Sequence, residues 1–359
     1  MTRSDIDAPA EPPSATLAAT PTAPTAPTAP TAPPPRPPIT IAGQRIEAGT
    51  RKNFSIPVAR SPIQAFLEMP VMVVHGARPG PRIFLSAAIH GDELNGLEII
   101  WRVMDALRPK RLCGTVIAVP IVNVFGFTQQ SRYLPDRRDL NRSFPGTPRG
   151  SLAARLAHLF QTEIMEGCDF GIDLHTGSLM RSNLPHVRAN LEDPETHALA
   201  EVFGAPVMMH AAERKGSLRR AAVAAGIRCL LYEGGEGQRF DHKAIEIGVA
   251  GIHRVLGHLG AVSKPRGPVP TTRRLGRSSW VRANRGGLVH LDIALGDEIT
   301  ARDDIGRIVD AYGKRIARVK APFDGVVIAR ANNPLVHKGD AVVHVGRLDL
   351  DGGEDEDEP

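Results

Sequence analysis

The chain has 359 residues, 42% of them hydrophobic, 4% aromatic and 23% charged, with a net charge of +5. This is a globular composition in a chain too long for one small core, so one large domain plus something smaller is expected, with Leu, Val, Ile and Ala building the interior. No segment is apolar for long enough to cross a bilayer, and the Arg and Lys are scattered rather than interleaved with aromatics, which argues against a membrane span or a nucleic-acid surface and leaves a basic body able to steer small anions.

Residues 1–38 hold a PTA repeat, a PPPRPP run and almost no large apolar side chain. Such a segment cannot bury enough surface to fold. It reads as a disordered tail leaning to polyproline II, with a proline-rich docking peptide as the alternative. It has no apolar stretch behind a basic start, so it does not read as a secretory signal. The three cysteines, Cys113, Cys168 and Cys229, are odd in number, far apart and set in apolar segments, as expected of buried thiols in a reducing compartment. A soluble, cytoplasmic protein is the expectation.

From 39 to 265 the pattern is that of a catalytic-size α/β domain. Extended segments are expected at 39–46, 54–59 and 70–75. PRIFLSAAIHGDE is an apolar, strand-like run ending at His90, and NGLEIIWRVMDAL repeats apolar residues at helical spacing. CGTVIAVPIVN is apolar throughout, as in a strand buried on both faces. SLAARLAHLFQTEIMEG opens with a Ser N-cap and reads as a helix. DFGIDLHTG is a short strand stopping at His175. SLRRAAVAAGIRCLLYEGGEG reads as helix, glycine stop, strand and then Glu233. HKAIEIGVAGIHRVLGHLG is a long final helix. This alternation predicts a mixed or parallel sheet covered on both sides by helices. A linker is expected at 262–276, where Pro, Arg, Gly and Thr dominate. Residues 277–348 show short alternating strands with turn signals and no helix, which predicts a small all-β barrel or sandwich domain. Residues 349–359 carry seven acidic residues and no basic one, a disordered acidic tail.

The chemistry sits at predicted strand ends. His90 and Glu93, three apart where a strand runs into a helix, can bend toward one point. His175 ends a second strand. Two histidines and a carboxylate, with one position left for water, are a known catalytic zinc set, whereas either histidine alone would read as structural. Asp173 points the same way as His175 in a strand and can orient it. In open α/β sheets ligands bind beyond the carboxyl ends of strands, and Glu233 stands at a third such end as a non-ligand base, with Glu236 as its rival. SRYLPDRRDLNRSFPG is dense in Arg, Asp and Asn: an anion-binding loop or a solvated basic one. RSNLPHVRANL carries Arg181 and Arg188, as further anion ligands or as loop charge.

HGDE, DLNRSFPG, DLHTG and a strand-end glutamate, in that order, resemble the succinylglutamate desuccinylase/aspartoacylase family, a branch of the zinc carboxypeptidase fold, over roughly residues 50–345. The resemblance implies one zinc ion per chain on His90, Glu93 and His175, and a water-activating Glu233. It implies that Arg132 polarises the scissile carbonyl and that Asn141 and Arg142 grip a substrate carboxylate. The implied fold is a mixed sheet flanked by helices plus a small C-terminal β domain beside the active-site mouth. The implied activity is hydrolysis of the amide of a small anionic N-acyl amino acid, with no nucleic-acid or membrane partner and with homo-oligomerisation left open. The alternatives are a zinc carboxypeptidase acting on small peptides and a non-catalytic binding or carrier protein. For the last, GRIVDAYGKRIARVKAPFDGVV resembles the hairpin of biotinyl/lipoyl domains, with Lys314 near the modified position but without the usual flanking residues.

Overall fold

The computed structural model describes residues 36–60 and 64–349. The tails expected at 1–38 and 349–359 therefore lie outside the described residues, save for their inner ends.

A twelve-stranded mixed sheet organises the described chain. Its centre is parallel: Cys113–Val119, Arg78–Ala87, Phe170–Gly177 and Arg228–Glu236 lie side by side in that order. On one side it continues antiparallel through Phe66–His75 to Thr50–Arg60. On the other, Arg181–Ala189 pairs antiparallel with Arg228–Glu236, and Val207–His210 and Arg273–Arg282 follow in parallel. Ala341–Leu348, Gly325–Ala331 and Glu298–Ile299 complete the sheet antiparallel.

Strand alternation splits the core between the two faces. Val116 and Ala118 enter one apolar cluster, Ile117 and Val119 the other. Helices Asn95–Ala106, Pro194–Phe203 and His242–His258 cover the first face. Leu152–Phe160 and Leu218–Ala224 cover the second. Four of these helices start where a side-chain oxygen accepts from a first-turn N–H: Ser151, Asp193, Ser217 and Asp241. Each such cap contributes about 1 kcal/mol. Gly171 shows how tightly the sheet and helix layers meet. A Cβ there would lie 2.1 Å from the fully buried Phe84 ring, which fills the space against Phe160.

The structure differs from the sequence reading in three places. Residues 181–189 are a central strand, not a loop, so their charged side chains are placed by sheet register. Helix Pro194–Phe203 and strand Val207–His210 have no counterpart in the sequence reading. The region 277–348 is helix-free as expected and has a four-stranded sheet of its own, built on Gly287–Leu291, Asp304–Val309, Arg315–Lys320 and Leu335–Val336. Yet its other strands join the large sheet, and Arg273–Arg282 begins inside the expected linker. Lys314 is exposed in the tight turn between Asp304–Val309 and Arg315–Lys320. No helix among the described residues is long and apolar enough to cross a membrane. All three cysteines are unpaired, and burial pushes the Cys168 thiol up to about 12.

Candidate active site

The strand Arg78–Ala87 ends in a sharp bend. Ala88 takes a φ of +47°, a region strained for a residue with a Cβ, and its carbonyl accepts from Asn123 N at 2.9 Å. The bend turns His90 and Glu93 out of the sheet plane. Gly91 is required here, because a Cβ would sit 1.9 Å from the backbone of Gly126. His175 comes from the neighbouring parallel strand, where it is in register with Glu233. One ligand atom from each of His90, Glu93 and His175 falls within 4.8 Å of the others, and all three residues are buried.

The details orient each donor. His90 Nδ1 lies 2.6 Å from Glu93 Oε1, and His175 Nδ1 lies 2.9 Å from Glu93 Oε2. His175 Nε2 is turned away to Asp173 Oδ2 at 2.8 Å, and Asp173 Oδ1 accepts from Ser86 Oγ at 2.8 Å. The imidazole is thus fixed with Nδ1 inward, the outer-shell arrangement that metal-binding histidines use. His90 Nε2 faces Asp139 Oδ1 at 3.3 Å. Burial alone would push the His175 pKa down, but the carboxylates of Asp173 and Glu93 hold it well above its ordinary value. His90 is raised in the same way against its burial, by Glu93 and Asp139. Glu93, despite burial that favours its neutral form, is held well below the carboxylate range by His90 and His175. Two imidazole nitrogens and a buried carboxylate converging on one place suit a divalent cation, whose binding would displace the imidazole protons.

The other predicted residues gather around a cavity of about 470 Å³ beside this cluster. Arg132 reaches it from the 131–146 loop, donating to Asp139 Oδ2 at 2.8 Å and to Ser178 Oγ at 3.1 Å, with Glu93 Oε1 at 3.6 Å. Asn141 is buried, and its Oδ1 accepts from Leu218 N at 2.9 Å, which ties this loop to the Leu218–Ala224 helix. Arg142 is exposed on the cavity rim, and its Nη1 donates back to Asn141 O at 2.5 Å. Arg181 lies over the Trp280 ring at 5.2 Å. Arg188 lines the cavity wall. Glu233 lines the same cavity and accepts from Asn183 Nδ2 at 2.8 Å. Desolvation raises its pKa, and the nearby His175 and Arg188 only partly offset that. Glu236 is turned to a different cavity, where it pairs with Arg239 at 3.2 Å.

Sequence reasoning missed Asp139, Ser178 and Asn183, which aim Arg132, Glu93 and Glu233 respectively. Asp139 had a visible signal, since it belongs to the same DLNR run as Asn141 and Arg142. Ser178 and Asn183 had none. It also missed Ser278, Trp280 and His344, which the C-terminal strands bring to the cavity. Trp280 and His344 stack at 4.5 Å and 8°.

Known proteins share this arrangement of chain. Residues 79–259 match the family model described as the succinylglutamate desuccinylase/aspartoacylase catalytic domain. An N-alpha-acetyl-L-2,4-diaminobutyric acid deacetylase from Halomonas elongata is 31% identical over 294 residues, 78% of this chain and 86% of that protein. A succinylglutamate desuccinylase/aspartoacylase structure from Rhodobacter sphaeroides superposes with a TM-score of 0.74 at 30% identity, covering 83% of this chain and 96% of that one. The product-bound ectoine utilization protein EutE (DoeB) from Ruegeria pomeroyi gives a TM-score of 0.76 at 26% identity, covering 84% and 97%. With a family model spanning half of its length and a relative this similar along most of it, the chain belongs to the succinylglutamate desuccinylase/aspartoacylase family.

Proposed function

We propose that the protein is a zinc-dependent amidohydrolase that hydrolyses the linear amide of a small anionic N-acyl amino acid. The carrying observation is the convergence of His90, Glu93 and His175 donors within 4.8 Å beside a cavity that also holds Glu233. The donor set, two inward Nδ1 atoms and one carboxylate, fits zinc with one position open. Zinc held there supplies Lewis acidity toward water and the scissile carbonyl.

The chain's own groups do the rest. Glu233, half-buried and raised in pKa, takes the proton of the attacking water and delivers it to the leaving amine nitrogen. Asn183 keeps its carboxylate turned into the cavity. Arg132, pinned by Asp139, faces the negative charge that grows on the carbonyl oxygen. Asn141 and Arg142 hold the substrate's α-carboxylate and so fix the amide relative to Glu233. The C-terminal strands wall the cavity with Ser278, Trp280 and His344, which suits a substrate of amino-acid size better than an extended peptide.

A panel of N-acyl amino acids and short peptides, with the released amine read by mass spectrometry, tests the activity. Release only from peptide C-termini would make the protein a carboxypeptidase. Glu233→Gln should keep its zinc and lose about 10²–10⁴ in turnover; wild-type-like turnover would remove Glu233 from the role of base. His175→Ala should lose zinc on elemental analysis. A carrier role would instead appear as added mass on Lys314 in the intact protein.

A further inference from the structure

A second cavity, of about 440 Å³, shares only Arg132 with the catalytic one and takes no part in the proposed reaction. Three loops wall it, at 130–133, 179–180 and 236–239, together with Asp92. The loops are stitched to their surroundings. Gln238 N donates to Asp92 O at 2.7 Å, Gly237 N to Gly177 O at 2.8 Å, Gln238 Nε2 to Gln130 O at 3.1 Å and Asn332 N to Met180 O at 2.8 Å. The cavity is therefore built into the backbone rather than left by a loose side chain. Four of the nine non-glycine residues with positive φ among the described residues lie on it: Gln130, Leu179, Met180 and Gln238, at +50° to +58°. Such conformations are costly for a residue with a Cβ and gather at sites of function.

Two features of the lining ask for a ligand. The first is Asp92, which is 8% exposed. Its own backbone N–H serves the carboxylate, yet Oδ1 is buried without a partner. No cation stands within ion-pair distance of it among the described residues, and the charges of His90 and Arg132 reach it only at longer range. The cations on the cavity wall are engaged elsewhere: Arg132 with Asp139 at 2.8 Å, and Arg239 with Glu236 at 3.2 Å. A buried acceptor left unsatisfied costs stability until a donor completes it. The second feature is apolar. Tyr133, Leu179 and Met180 line the same cavity and stand 43%, 62% and 59% exposed.

We propose that this cavity is a binding site for a primary alkylammonium ion, with the charged head on Asp92 Oδ1 and the aliphatic stem against Tyr133, Leu179 and Met180. An anion there would face Asp92 and Glu236. A guanidinium matches two carboxylate oxygens at once, whereas Asp92 has one to offer, so a point-like ammonium fits better. A metal ion needs more ligands than the two carboxylates present, and the described residues group metal-type donors only at His90, Glu93 and His175. The site is distinct from the catalytic cavity and does not depend on the deacylase reading.

The test is calorimetric titration of the zinc-loaded, full-length protein with butylammonium, against butanol and butyrate, which keep the stem and change the head. Butylammonium should bind about 10- to 100-fold more tightly than either control, the size of one charge-assisted contact. Asp92→Asn should remove that preference. Because Asp92 precedes Glu93, zinc content and melting temperature are read on the same samples. Leu179→Lys, on the exposed rim, is the second variant: its own ammonium should fill the site and weaken butylammonium by about 10-fold or more, with zinc content unchanged. Glu233→Gln, which alters the catalytic cavity alone, should leave butylammonium binding intact. Equal binding of butanol, or a preference that survives both Asp92→Asn and Leu179→Lys in folded protein, overturns the site. So does binding lost in Glu233→Gln, which would put the amine in the catalytic cavity. A protein that binds butylammonium through Asp92 but hydrolyses no acyl amino acid keeps the site and loses the deacylase reading; one that hydrolyses them but shows no preference for the ammonium head loses the site alone.

Discussion

The two ends of the cavity are built on opposite electrostatic plans. Around Glu93 the polar groups answer one another: two imidazoles face it, Asp173 and Asp139 back those imidazoles, and Arg132 closes the ring. Around Arg188 and Arg219 the direct hydrogen bonds go to neutral acceptors, His186 and the carbonyl of Ala212, and the carboxylates of Glu233 and Glu213 act on them only from beyond ion-pair distance. The first end has its donor groups tied to one another and oriented from behind by carboxylates. The second is oriented by neutral groups, the imidazole of His186 and a backbone carbonyl.

The contrast is broken most directly by Asp173→Asn. If the metal end depends on its outer ring of carboxylates, this change should weaken zinc binding about 10- to 100-fold while leaving the chain folded. Competition with a chelator measures it, and an unchanged zinc affinity would mean that the ring is ornamental. Gly171→Ala probes the support beneath His175. The new methyl meets the buried Phe84 ring, so a loss of about 1–3 kcal/mol is expected, visible as a melting temperature several degrees lower. No shift would show that the layers can slide. The smallest effect concerns acid. His186 is depressed to about 3 by burial, and His344 likewise. The unfolded chain takes up these protons first as pH falls below about 6.5. Stability from these groups is therefore full above that pH and is lost progressively toward pH 3. His186→Gln should flatten the decline in melting temperature between pH 7 and pH 4.5; an equally steep decline would place the acid sensitivity elsewhere.

Much of this was legible beforehand, for a physical reason. His90, His175 and Glu233 follow apolar runs that can only be buried strands, and strand ends are where an α/β sheet presents ligands. Asp173 was legible because alternation puts it on the face of His175. The far end was hidden. The run 181–189 contains Pro185 beside alternating polar and charged residues, so its pattern imitates a loop. Only pairing with Arg228–Glu236, which no local pattern announces, turns Arg188 and His186 toward Glu233. Asn183 was invisible for the same reason. The C-terminal strands were recognised as strands, but their attachment to the large sheet depends on long-range register and left no trace in composition.

That attachment limits how the molecule can be recombined. Gly325–Ala331 pairs with Arg181–Ala189 so that Ala329 lies across from Asn183, the residue that steers Glu233. A chimera that grafts the C-terminal region of a relative onto this chain would reset the spacing behind Glu233. The two regions are built as one sheet, and libraries that shuffle them should cut elsewhere.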